Sequence, residues 1–248
     1  KIGLERDGGI TRLAYTREEE EAKLLLKKLS DDLGFTARKD NAGNLWIRKE
    51  GLDPDLPAVL VGSHLDTVPQ GGAYDGAVGV LAGFECMRQL DREGFPNRHP
   101  IELVVFAGEE SSRFNIATAG SKILVGKLDT EALKAAKDNK GISVYQALKQ
   151  LGYDPDDLPG FAAGDYKAFL ELHVEQNVIL EREKLQIGIV ERIAAPTRAR
   201  IELHGVEAHS GACPMGERHD ALAAAAEIIL AVEKAGCKEK DHHTVATV

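Results

Sequence analysis

Pro57-Ala58-Val59-Leu60-Val61-Gly62-Ser63-His64-Leu65-Asp66 is the stretch whose reading decides the fold. Between Pro57 and Gly62 the chain is apolar on both faces. Such a run reads as a fully buried strand, as central strands of α/β sheets are. Working backwards from it, short strands are predicted at residues 36–39 and 45–48. Before them Thr16-Arg17-Glu18-Glu19 has the form of a capping box. Ala22, Leu25, Leu26 and Leu29 then recur at helical spacing up to Gly34. Working forwards, residues 76–90 read as a helix and 101–107 as a second buried strand. A helix at 144–151 and a strand at 168–173 come next. The alternation predicts an α/β layered domain over residues 1–186, a mixed sheet sandwiched by helices. From about Leu185 the texture changes. Strands at 187–190, 198–203 and 244–248 and an alanine-rich helix at 220–234 predict the start of a smaller α+β domain over 187–248, cut off mid-element.

Composition narrows the function classes. The 248 residues carry a net charge of −9, and the basic residues are interspersed with acidic ones rather than clustered, which argues against a nucleic-acid partner. No apolar run approaches the length of a membrane span, and residues 1–15 lack a signal-peptide pattern. The lack of an initiator Met says that numbering does not begin at a native start. Cys86, Cys213 and Cys237 leave one thiol unpaired whatever the pairing, which points to a reducing, cytoplasmic home.

Five short segments carry candidate chemistry. Three predicted strands end in, or just before, His64, Glu109 and His173, and ligands of open α/β sheets bind beyond the carboxyl ends of strands. His64 is followed two residues later by Asp66, a carboxylate able to orient a ligating imidazole from behind. Asp75, in Tyr74-Asp75-Gly76-Ala77, precedes a helix; it suits an N-cap, or a bridge between two cations beside a small neighbour. Glu109-Glu110 suits an exposed acidic turn, or a pair in which one carboxylate ligates metal and the other accepts a proton. His173 and, in the second domain, His209 suit satisfied or loop histidines equally well. No segment decides alone. The ordered series of His, Asp, Glu-Glu and His at strand ends and helix starts of one sheet favours a metal centre. Nitrogen and carboxylate donors without cysteine suit Zn, Mn, Co or Ni. The spacings G-x-S-x-G, H-E-x-x-H, G-x-G-x-x-G and the P-loop are all absent, which weakens serine-hydrolase, helix-borne zinc and nucleotide-binding readings.

The same segments identify a resemblance. Gly-Ser-His64-Leu-Asp66-Thr-Val, Tyr-Asp75-Gly-Ala-Val-Gly-Val, Glu109-Glu110-Ser-Ser-Arg113-Phe114, Leu-His173-Val-Glu-Gln176 and Ala-His209-Ser-Gly, followed by Pro-Met and Arg218-His-Asp-Ala, resemble the N-carbamoyl-L-amino-acid hydrolases. That group stands with allantoate amidohydrolase and β-ureidopropionase in the aminoacylase-like clan of dinuclear metallopeptidases. The resemblance implies a zinc-exopeptidase-like catalytic domain with a lid domain through which two chains form a homodimer. It implies two divalent metal ions, with Asp75 as the bridge, His64 and His173 completing one site and Glu110 holding the other. Glu109 would be the general base, and Gln176 and His209 would contact the substrate, His209 from the lid. A histidine at position 173, where related aminoacylases carry an acidic residue, favours the carbamoylase branch.

Two departures accompany the resemblance. The family's last metal histidine and its substrate-binding Asn and Arg belong to a longer chain, and Arg192-Ile-Ala-Ala-Pro196-Thr lacks an expected Gly-Gln pair. The expected reaction is hydrolysis of an N-carbamoyl-L-amino acid, a small ureido substrate. The rivals are an allantoate amidohydrolase, a dipeptidase or aminoacylase, and, from another class, an inactive fragment or pseudo-enzyme that only binds ligand.

Overall fold

The computed structural model describes residues 2–162, 164–193, 195, 197–238 and 244–248. Five strands, β1 (Thr36–Lys39), β2 (Leu45–Lys49), β3 (Ala58–His64), β4 (Ile101–Phe106) and β5 (Tyr166–Leu170), make one sheet in the order β1-β2-β4-β3-β5. The β1/β2 and β2/β4 pairs are antiparallel, whereas β3 runs parallel to both β4 and β5. The sheet is therefore mixed, and its three neighbouring parallel strands end at one edge.

Period-two alternation sorts side chains to the two faces. Leu45, Ile47, Leu103 and Val105 pack with Leu26 of α1 (Arg17–Asp32) and with Val80, Phe84 and Met87 of α2 (Ala77–Arg92). Trp46, Leu60 and Val104 face the other way, against Leu124 of α3 (Ala119–Leu124). A further core of Ala14, Phe114, Ile123, Leu133 and Leu148 joins α3 to α4 (Thr130–Ala135) and α5 (Val144–Gln150). Ser143 and Gln146 close a reciprocal capping box on α5.

The inner face of α1 differs from the predicted apolar stripe. Glu19, Lys23, Leu26 and Ser30 turn inward, while Leu25 and Leu29 are exposed. The inward charges neutralise each other, with Lys23 Nζ 2.6 Å from Glu19 Oε1 and donating to Gly43 O at 2.9 Å. The cap is half of the expected box. Thr16 Oγ1 accepts the Glu19 N–H, but the Glu19 carboxylate takes the N–H of Tyr15.

The chain divides into two compact units, Lys1–Val178 and Ile179–Val248. In the second, α6 (Ile179–Glu183) and α7 (Ala221–Gly236) are helical, α7 being capped by Asp220, which accepts the N–H groups of Leu222 and Ala223. The strands predicted at 187–190, 198–203 and 244–248 do not form among the described residues. A strand persists only with a ladder partner; these segments pair with none, and Ile187, Ile189 and Ile201 stay exposed. Ala194 and Pro196, in the segment that lacks the Gly-Gln pair, lie outside the described residues. No described helix is long and apolar enough to cross a membrane.

Candidate metal centre

The candidate residues of the first unit gather where the three parallel strands end. His64 is the last residue of β3, opposite Phe106 of β4. Glu109 and Glu110 follow β4, and Asp75 immediately precedes Gly76 at the cap of α2. The fifth strand stops at Leu170, earlier than predicted, so His173 sits on the segment beyond it. There the backbone has left the ladder and lies close against α2: a Cβ on Gly79 would fall 2.1 Å from Leu172 O.

Both imidazoles use Nδ1 on a carbonyl and turn Nε2 to the centre. His64 Nδ1 donates to Asp66 O at 2.9 Å, and His173 Nδ1 to Val174 O at 2.9 Å. The rings stack at an angle of 27° with centroids 5.8 Å apart. His64 Nε2 faces Glu109 Oε2 at 3.6 Å, and His173 Nε2 faces Asp75 Oδ1 at 3.2 Å. Fixing one ring nitrogen on a backbone acceptor sets the tautomer of a ligand and directs the other nitrogen's lone pair.

Gly76 makes the ring's position available. Its φ is +62°, and an added Cβ would lie 2.5 Å from the His64 ring, so a side chain is excluded by both backbone and space.

Asp66, fully buried, is used differently from the sequence expectation. Its main-chain carbonyl orients His64, while its carboxylate Oδ1 is 3.6 Å from the ring. The carboxylate instead accepts the N–H groups of Glu109 (3.1 Å) and Glu110 (2.8 Å). One residue thus fixes the β3 and β4 loops together. Gln176, at φ +56°, donates its side-chain amide to Asp75 Oδ2 at 2.8 Å.

The residues present suit divalent cations. His64, Asp75 and His173 offer ligand atoms within 4.8 Å of one another, and so do His64, Glu109 and Glu110. The buried Asp75 Oδ1 accepts no hydrogen bond, although an imidazole nitrogen lies beside it. A carboxylate oxygen facing a lone pair is unfavourable unless a positive charge comes between them. The electrostatics agree. Burial opposes a charge on His64, but the Asp66 and Glu109 carboxylates outweigh it and carry the imidazole up to about 9. Burial likewise pushes the Glu109 and Glu110 carboxyls up, and neighbouring carboxylates add to the shift. The cluster thus holds more negative charge than it can stabilise alone.

His209 belongs to the second unit. It is exposed, its Nδ1 accepts the N–H of Gly211 at 3.1 Å, and Arg218 ties its loop by donating to Ser210 O and Cys213 O. Among residues with no part in the sequence reading, Arg12 stands out. The residue is 8% exposed, and only its apolar neighbours Leu13, Ala14 and Tyr15 hint at burial.

The model of peptidase family M20/M25/M40 matches residues 60–246. The chain is 45% identical over 236 residues to an N-carbamoyl-L-amino acid amidohydrolase of Geobacillus stearothermophilus, covering 94% of this chain and 58% of that protein. It is 43% identical over 246 residues to a ureidoglycolate hydrolase of Arabidopsis thaliana, covering 96% and 52%. Among solved structures, a hydantoinase/carbamoylase family amidase from Burkholderia ambifaria superposes with a TM-score of 0.73 at 36% identity, over 96% of this chain and 57% of that one. The chain thus spans little more than half the length of these relatives.

Proposed function

The chain belongs to peptidase family M20/M25/M40, and from that premise we propose that the protein is a metal-dependent amidohydrolase that splits the ureido C–N bond of an N-carbamoyl-L-amino acid. The observation that carries this reading is the pair of Nε2 atoms turned toward a group of carboxylates in which Asp75 Oδ1 has no hydrogen-bond partner. Its likeness to the Geobacillus stearothermophilus amidohydrolase supports the substrate class.

His64, Asp75, Glu110 and His173 would hold two divalent cations of the Zn, Mn, Co or Ni type, with Asp75 shared between them. Bound there, the cations would bring a water's pKa near neutrality and polarise the ureido carbonyl. Glu109, half-buried with its carboxyl pushed up, is poised to accept that water's proton and return it to the leaving nitrogen. The products are the free amino acid, ammonia and carbon dioxide. Gln176, next to Asp75, is the candidate to orient the substrate, and His209 would contact it and stabilise the developing oxyanion. The protein would act as a cytoplasmic homodimer paired through its second domain; three free cysteines agree with a reducing compartment.

The ureidoglycolate hydrolase likeness favours a second reading, in which the ureido group is kept and its carrier changes. A panel of N-carbamoyl amino acids, allantoate, ureidoglycolate and N-acetyl amino acids, assayed with the metal-loaded protein, decides between them. Glu109→Gln should lower turnover by roughly 10²–10⁴-fold with metal content unchanged. Turnover of none of the panel by protein carrying its metal would end the proposal.

A further inference from the structure

Arg12 holds both neighbours of Asp66. Its Nε donates to Leu65 O at 2.9 Å. Its own N–H donates to Thr67 Oγ1 at 2.9 Å, and its carbonyl accepts the Thr67 N–H at 2.8 Å. The Thr67 hydroxyl continues to Ile10 O, and Gly71 exchanges two backbone hydrogen bonds with Ile10. Arg12 Nη1 reaches back to Ile2 O at 3.0 Å. Gly3, at φ +77°, approaches so closely that a Cβ there would lie 2.7 Å from Arg12 Cγ. The segment before α1 therefore closes over the arginine like a strap, and the arginine grips the chain on either side of Asp66.

Asp66 in turn fixes His64 through its carbonyl and the Glu109 and Glu110 amides through its carboxylate. We propose that Arg12 is a positioning residue for the metal centre: by clamping Leu65 and Thr67 it sets Asp66, and through Asp66 it sets the imidazole at the end of β3 and the backbone that carries the Glu109 and Glu110 side chains. The inference rests on the reading of His64, Asp75, Glu110 and His173 as cation ligands. Its physical basis is that a planar guanidinium donates in two fixed directions, to Leu65 O and Ile2 O, which an ammonium cannot reproduce.

The test is Co²⁺ titration of the metal-stripped protein, read by the visible bands of the bound ion, beside thermal unfolding of the same samples. Arg12→Met keeps the backbone bonds to Thr67 and removes the side-chain grip on Leu65 and Ile2. It should weaken Co²⁺ binding about tenfold, the low end of the range for loss of a group that orients metal ligands, and alter the bands. Arg12→Lys, which keeps the charge and is the milder change for folding, should shift both in the same direction by a smaller factor. Thr11→Val removes a strap contact to the Gln70 N–H away from Asp66; it should lower the unfolding temperature and leave Co²⁺ affinity unchanged. Wild-type affinity and bands in Arg12→Lys, or in Arg12→Met with only the unfolding temperature lowered, would make the strap a stabilising element and overturn the proposal. Failure of the wild-type protein itself to bind Co²⁺ would instead remove the metal centre on which the proposal rests.

Discussion

Asp66→Asn separates two effects that a single measurement would confuse. The substitution keeps the shape and the main-chain carbonyl that orients His64. It presents an amide NH₂ where the carboxylate now accepts the Glu109 and Glu110 N–H groups, so one buried N–H faces a donor. Losing a hydrogen bond to a charged acceptor costs about 1.5–3 kcal/mol, roughly a 10–100-fold weaker hold on a cation if the loss falls on ligand placement. The second effect has the opposite sign. Asp66 and Glu109 raise the His64 pKa from 6.5 to about 9, so below that pH a cation must displace a proton. Wild-type affinity should therefore fall about tenfold per pH unit below 9, some 2.5 decades by pH 6.5. Without the Asp66 charge the imidazole returns toward 6.5, and the variant loses only about twofold over the same range. Chelator-buffered Zn²⁺ titrations should thus show Asp66→Asn weaker by roughly 10–100-fold at pH 9.5. At pH 6.5, the wild type having lost about two decades more by then, the variant should lie between parity and about tenfold tighter than the wild type. A deficit that is equal at both pH values, or larger at the lower one, would refute this account of Asp66.

Two further outcomes follow from the geometry. Gly76→Ala combines a φ of +62° with a Cβ 2.5 Å from the His64 ring. It should cost about 1 kcal/mol or more in stability and weaken cation binding through the displaced ring; unchanged values by calorimetry would show that the α2 cap yields freely. Glu19→Gln leaves buried Lys23 without its carboxylate and should destabilise the fold by about 3–5 kcal/mol in urea unfolding, since breaking a buried pair strands a charge. A loss under about 1 kcal/mol would mean that Gly43 O and relaxation suffice for Lys23.

Much of the sheet is legible because burial leaves a local trace. The strand at Thr36–Lys39, the apolar run that opens β3 and the capped helices α5 and α7 all follow from patterns within a few residues. The misreadings are informative. In α1 the periodic leucines suggested an apolar inner face, but the Glu19–Lys23 pair occupies it. Such a pair is recognisable only once the Gly43 carbonyl is beside it. In the second unit the apolar segments have strand-like composition, yet alternation specifies a strand only when a partner is aligned with it.

By itself the sequence determined which residue types stand at or near the ends of β3, β4 and β5, because periodicity and turn chemistry act over short spans; that β5 stops short of His173 was decided by the structure. It therefore indicated imidazoles and carboxylates in order along one sheet. Only the tertiary structure decided how they are held. Strand order brings His64, Glu109 and His173 to one edge, and Asp66 turns its carboxylate to backbone amides 43 and 44 residues away. Arg12 reaches residues more than 50 positions on to grip the chain around it. Contacts at such separations are selected by the packing of the whole sheet and its helices, and no local pattern records them.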